Sequence, residues 1–292
     1  MRRIVTGAVL IVAALIIVFI PDQDQWVLGL ACAAIAEMAL FEYLRLSNET
    51  GARISYWLVM LAGAAFIYIS YTMPEYQMQT LSLVALMLLV VSVFTAPPNR
   101  VLQDAAYSFF GLLYAVYPLT LLPIFRSQIN GRGLLVFLLV CVWSGDIVAL
   151  YAGQRWGRHK LAEALSPGKT WEGAIGSMVG TLFFAMLLLL LDLLFSHAFN
   201  YVLLGYMGGM WQWDLVWPWL VLAGVLNLAA QVGDLAESAL KRGAGVKDSG
   251  HLLPGHGGVL DRIDGLLLAA PVLWCIESLR DYPIFSSFFS RF

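Results

Sequence analysis

The feature that most constrains this chain is a succession of long apolar runs. A helix crossing the hydrocarbon layer needs roughly 20 mostly apolar residues, with about 17 to 25 acceptable. By that ruler about nine spans follow one another. They run from Ile4 to Ile20, Trp26 to Leu44, Tyr56 to Met73, Thr80 to Ala96, Ala105 to Phe125, Gly133 to Gly153, Gly173 to Phe195, Leu215 to Val232 and Arg262 to Leu279. Of the 292 residues, 60% are apolar and 12% charged, far from the balance of a soluble core. The sequence thus predicts an all-α, polytopic integral membrane protein with about nine transmembrane helices, lying in the lipid bilayer. The first run follows Arg2 and Arg3, is too long for a signal-peptide core and lacks a small-residue cleavage site, so it reads as an uncleaved first span. Cys32, Cys141 and Cys275 lie in apolar runs without metal or redox spacing, and no disulfide is expected. A net charge of −2 excludes a nucleic-acid-binding surface.

Orientation follows from the 17 Lys and Arg residues. With the N-terminus inside, only Arg126, Arg132, Arg280 and Arg291 fall on the outer side, which is the asymmetry the positive-inside rule weighs. Residues 1–130 then form a set of N-terminal spans, and residues 131–292 a region with two polar, Gly-rich loops, 154–172 and 233–261, both cytoplasmic. Two loops on one side can build one site. A homodimer is compatible with the pattern, since apolar faces toward lipid and toward a partner read alike.

The acids are few and grouped. Asp261 and Asp264 stand three apart at the head of the last run, neighbours on a helix face, and repel unless a cation sits between them. Asp234 and Glu237 repeat that spacing at the end of the eighth run, where Glu237 and Lys241 could also form a helix-surface ion pair. Asp146 lies inside the sixth run, where a charge is costly and needs a partner. Carboxylates without Cys or suitably spaced His select a hard cation, which points to Mg²⁺. His251 and His256, five apart in a Gly-rich loop, do not make a zinc-protease pair.

The segment "SPGKTWEG", residues 166–173, contains "GKT" but lacks the glycine and the preceding strand of a Walker A loop. What remains is a Lys and a Thr at a helix start, where free N–H groups favour an anion; Lys169 could equally be a positive-inside anchor. The "PGHGG" of residues 254–258 lets backbone approach a ligand, with Lys247, His256 and Arg262 as donors around it. Carboxylates for a hard cation, donor-rich loops and fixed cations at the membrane boundary suit phosphoryl or nucleotidyl transfer to a lipid.

The segment "SALKRGAGVKDSGHLLPGHGGVLDRID", Ser238 to Asp264, resembles the defining motif of the phosphatidate cytidylyltransferases, and "SPGKTWEG" and "GRHKLAEAL" are similar to that family as well. The resemblance implies that phosphatidic acid attacks the α-phosphorus of CTP, giving CDP-diacylglycerol and pyrophosphate, in phospholipid biosynthesis. It implies a Mg²⁺ requirement, with K⁺ as a candidate second cation, and metal ligands at Asp234, Asp261 and Asp264, with Asp146 a further candidate. Asp234, Lys247, Asp248, Asp261 and Asp264 would carry the chemistry. Ser166, Lys169, Thr170, Lys241, Arg242, His256, Gly257, Gly258 and Arg262 would bind the substrates. It implies a multi-pass protein of a bacterial inner (cell) membrane with its active site facing the cytoplasm. One departure is evident: "GDIVALYAG" carries Ile147, Val148 and Leu150 where relatives usually have small or polar residues. That leaves as alternatives a cytidylyltransferase for another lipid phosphate and, from a different class, an ion-coupled transporter built on Asp146 and Asp234.

Overall fold

The computed structural model describes residues 2–20, 25–128, 130–199, 213–250 and 257–279. The architecture is α-helical with one small hairpin. The helices are α1 (Arg2–Phe19), α2 (Trp26–Glu49), α3 (Tyr56–Thr72), α4 (Gln77–Thr95), α5 (Val101–Gly111), α6 (Tyr117–Ser127), α7 (Gly131–Trp156), α8 (Trp171–Phe199), α9 (Trp213–Gly243) and α10 (Leu260–Leu279). The hairpin strands β1 (Lys160–Ala162) and β2 (Ser166–Thr170) lie between α7 and α8. A π-helical turn, Leu112–Val116, joins α5 to α6, so this segment is continuous helix.

Among the described residues six helical segments are long and apolar enough to cross a membrane: Trp26–Glu49, Pro74–Thr95, Val101–Ser127, Gly131–Trp156, Trp171–Ser196 and Val216–Gly243. Helix α3 is apolar but shorter, at 17 residues. Helix α10 carries Asp261, Arg262, Asp264 and Glu277 among its apolar residues. The chain is a multi-pass membrane protein.

In α4 many apolar side chains face outward, unlike those of a helix in a water-soluble protein. In α4 the buried positions include Gln77, Thr80 and Ser92, while Leu83, Leu86, Val90 and Phe94 are exposed. Lipid is as apolar as Leu, so burying Leu gains little, whereas polar groups must find partners inside. Gln77 does so, its Nε2 donating to Thr120 Oγ1 at 2.8 Å.

Two compact units divide the chain. One comprises residues 1–124 and 237–267, and the other residues 125–236 and 268–292. In the first, α2 packs against α3 and the π-helical turn, and α4 against α5. In the second, α7 and α8 form the most extensive contact, with β1 and β2 against them.

Two expectations about the loops need correction. The 233–261 segment is helix through Gly243, because α9 continues past the last apolar residue. Its "DLAESALKR" is built from good helix formers, which carry the helix on after the hydropathy has fallen. The 154–172 segment is likewise no simple loop. Helix α7 reaches Trp156, and Lys160–Ala162 pairs antiparallel with Ser166–Thr170, with a register irregularity between Lys160 and Ala162.

The α7–α8 crossing depends on the absence of a side chain at Gly180. A Cβ there would lie 2.6 Å from the Val148 Cβ and 2.9 Å from its Cγ1. Gly224 is different, since the nearest atom to its Cβ position is Met178 Sδ at 3.7 Å. Gly180→Val should therefore cost about 2 kcal/mol through overpacking, whereas Gly224→Ala should be neutral or mildly stabilising. Thermal melts of the two variants in detergent check this, the expected result being a fall of several degrees for Gly180→Val alone.

Candidate active site

Each unit carries a polar cluster. In the second unit, a cavity of about 600 Å³ is lined by Asp146 from α7, Asp234 and Gln231 from α9, and Lys160, Lys169 and Thr170 from the hairpin. That volume suits a ligand of nucleotide or headgroup size. Lys169 Nζ lies 2.8 Å from Asp234 Oδ2. The position that sequence leaves open between anion ligand and membrane anchor is thus an ion pair on a cavity wall.

The hairpin aims Lys169 through ordinary capping chemistry. Thr170 Oγ1 accepts from the Gly173 N–H at 3.1 Å and so caps α8. Glu172, in the first turn of α8, accepts from the N–H groups of Arg158 and His159, and its Oε1 lies 2.6 Å from His159 Nδ1. The Trp171 N–H donates to His159 O at 2.9 Å. Thr170, expected to bind substrate, uses its hydroxyl oxygen to end the hairpin, although it still lines the cavity. Ser166 starts β2, opposite Ala162. Lys160, absent from the sequence-derived set, lines the cavity and donates to Pro167 O at 2.6 Å.

Below the cavity lies a hydrogen-bonded polar chain. Gln231 Nε2 donates to Asn227 Oδ1 at 2.6 Å, and Asn227 Nδ2 donates to Ser177 Oγ at 2.8 Å and Thr181 Oγ1 at 2.9 Å. Thr181 Oγ1 then donates to Cys141 O at 2.9 Å. The residues that depart from the family pattern occupy distinct places: Val148 packs at the Gly180 crossing, Ile147 is exposed and Leu150 lines the cavity.

In the first unit the cluster is an ion-paired triad. Lys241 Nζ contacts Asp261 Oδ1 at 2.6 Å and is ion-paired with Glu237, which is fully buried. The Glu237–Lys241 pair, for which the sequence leaves a helix-surface position as one alternative, is therefore interior. Asp261 is further held at Oδ2 by the N–H of Ser249 at 3.0 Å, the Ser249 hydroxyl at 3.0 Å and the N–H of Gly258 at 2.8 Å. Burial pushes the Asp261 pKa up, but the Lys241 and Gly258 hydrogen bonds outweigh it and hold the carboxyl at about 2. It is ionised near neutral pH. Gly257 has φ +80°, a conformation suited to glycine, and turns the chain into the Asp261 contacts.

The remaining predicted residues are more open. Lys247, Asp248 and Arg262 are exposed, and Arg242 donates to Val246 O at 3.1 Å. The Gly265 N–H lies 2.8 Å from Asp264 Oδ1. His251 and His256 lie outside the described residues. Sequence reasoning missed Glu42 of α2, a buried acid that meets the backbone ahead of α10. The signal was available, because Glu42 interrupts an apolar run just as Asp146 does.

The donor chemistry can be weighed against a hard cation. Asp146 and Asp234 both line the cavity, and Mg²⁺ is commonly held by one or two carboxylates together with substrate phosphates. That pair fits. Asp261 is already engaged by Lys241, Ser249 and Gly258. Among the described residues, no group of three or more His, Cys, Asp or Glu side chains is arranged to hold a metal.

Known proteins match this chain over most of its length. The chain matches the cytidylyltransferase family over residues 1–279. A phosphatidate cytidylyltransferase of Thermotoga maritima is 32% identical over 284 residues, covering 96% of each chain. That of Haemophilus influenzae is 30% identical, covering 92% of this chain and 96% of its own. That of Brucella abortus is 41% identical over 184 residues, 62% of this chain, and the match spans 61% of the relative's length. Across its apolar helices and both polar clusters, the chain belongs to the cytidylyltransferase family.

Proposed function

We propose that the protein transfers a cytidylyl group from CTP to phosphatidic acid, releasing pyrophosphate and leaving CDP-diacylglycerol in the membrane. The observation that carries this reading is the cavity with Lys169 paired to Asp234 beside Asp146, in a chain of this family. A phosphate oxygen of the lipid forms a bond to the α-phosphorus of CTP as the bond to the bridging oxygen of the β-phosphate breaks. The nucleophile is ionised near neutral pH, so no strong general base is needed.

The chain's task is to bring two anions together and offset their repulsion. Lys160 and Lys169 supply fixed positive charge on the cavity wall. Asp146 and Asp234 would hold Mg²⁺ with the substrate phosphates, with K⁺ as a candidate second cation. The metal supplies charge neutralisation of the triphosphate when bound. Lys241 holds Asp261 in place, while Lys247, Asp248, Arg242, Arg262 and the glycines at 257 and 258 belong to the same motif and act with it on the substrates.

The positive-inside count supports nine crossings with the N-terminus inside, so that loops 154–172 and 233–261 face the cytoplasm of a bacterial inner membrane and serve one reaction. CTP is supplied from that side.

Purified protein in detergent should release pyrophosphate from CTP only when phosphatidic acid and Mg²⁺ are both present. Chelation of divalent cations should abolish release, and Mg²⁺, not K⁺ alone, should restore it. Asp234→Asn and Lys169→Met should each lower kcat about 100-fold or more, and no lipid-dependent release from the unaltered protein sinks the reading. Orientation has its own check. In a cysteine-free background, a cysteine at Lys247 should react with a membrane-impermeant maleimide only after cells are permeabilised, and labelling of intact cells contradicts the assigned side.

A further inference from the structure

Glu42 lies far from the signature motif in sequence, yet it is 1% exposed and makes three contacts with that motif. The Val259 N–H donates to its Oε1 at 3.0 Å, and the Leu260 N–H donates to its Oε2 at 2.8 Å. The Ser249 Oγ stands 3.0 Å from the same Oε2. Val259 and Leu260 are at the entry to α10, where backbone N–H groups have no partner within the helix. A carboxylate from α2 thus does the work of a capping side chain, and its charge suits the positive end of the helix.

Ser249 links this carboxylate to Asp261. Its hydroxyl lies 3.0 Å from Glu42 Oε2 and 3.0 Å from Asp261 Oδ2. One proton cannot serve both oxygens at once, so the hydroxyl couples the two acids. The backbone is closed tightly over the pair, and a Cβ on Gly258 would collide with both Ser249 Oγ and the Glu42 carboxylate. Gly258 is therefore placed by packing on Glu42 as well as by its own hydrogen bond to Asp261.

We propose that Glu42 is a positioning residue for cytidylyl transfer, fixing the Ser249 and Gly258–Leu260 backbone so that Asp261 and its Lys241 partner keep their geometry. This rests on the reading that Asp261 serves the reaction. Glu42 does not touch substrate in this account. It acts through the donors it orders, so its loss should fall on turnover rather than on nucleotide binding.

Glu42→Gln keeps the shape but replaces one acceptor oxygen with an amide NH₂ that opposes an N–H donor. Its kcat for pyrophosphate release from CTP and phosphatidic acid should fall about 10- to 100-fold, with KM for CTP changed less than about threefold and the detergent melting temperature near that of the unaltered protein. Ser249→Ala should lower kcat several-fold. In the double variant the two losses should not multiply, because both act on one network. Wild-type kcat in Glu42→Gln overturns the proposal, as do losses that multiply in the double variant. If Glu42→Gln does not fold, Ser249→Ala decides alone: reduced kcat with an unchanged melt supports the proposal, and unchanged kcat overturns it. An active wild type with a fully active Asp261→Asn removes the role of Asp261, and this proposal with it, while leaving the transferase reading intact. An inactive wild type overturns both.

Discussion

A charge held in or beside hydrocarbon must find its counter-charge or its hydrogen-bond donors within the protein, and the polar architecture of this chain follows from that constraint. Glu237 and Asp261 share Lys241, Asp234 takes Lys169, and Glu42 takes two backbone N–H groups. Such pairs are weak sources of net stability, because desolvating both partners offsets much of their attraction. Their effect is on shape. Each fixes where a segment begins or turns, so the few polar residues determine local geometry that the many apolar ones leave loosely specified.

The second effect of the same constraint is the fate of the apolar residues. In α4 they face outward, and the buried positions are shared with Gln77, Thr80 and Ser92. Helix contacts then depend on close approach rather than on hydrophobic burial, as at Gly180 against Val148. A residue of the sixth run that departs from the family pattern is thereby a packing element of the α7–α8 contact.

The apolar runs and most of the acids were legible in the sequence because they are local properties: a run of apolar residues, or a charge interrupting one. Asp146 stood out as a charge inside a run, and Asp234 and Asp261 by their three-residue spacing from Glu237 and Asp264 at run ends. The helix ends did not, since hydropathy falls at Val232 while helix propensity continues to Gly243. The hairpin was hidden for a related reason. Its strands are only three and five residues long and are anchored by Glu172 from beyond their ends. Glu42 interrupts an apolar run as Asp146 does, but the partners that give it a role lie some two hundred residues further along the chain. A carboxylate's partners are a property of the folded backbone, and no local spacing encodes them.

The hairpin has a consequence for how this region tolerates change. Side chains on a strand alternate between faces, so a shift of one position moves every side chain to the opposite face. Lys160 sits opposite Thr170, and both line the cavity together with Lys169. In a hairpin the pairing depends on the length of the tip, here residues 163–165. A single inserted or deleted residue there would turn Lys169 away from Asp234 while leaving every residue named in the cavity present in the chain.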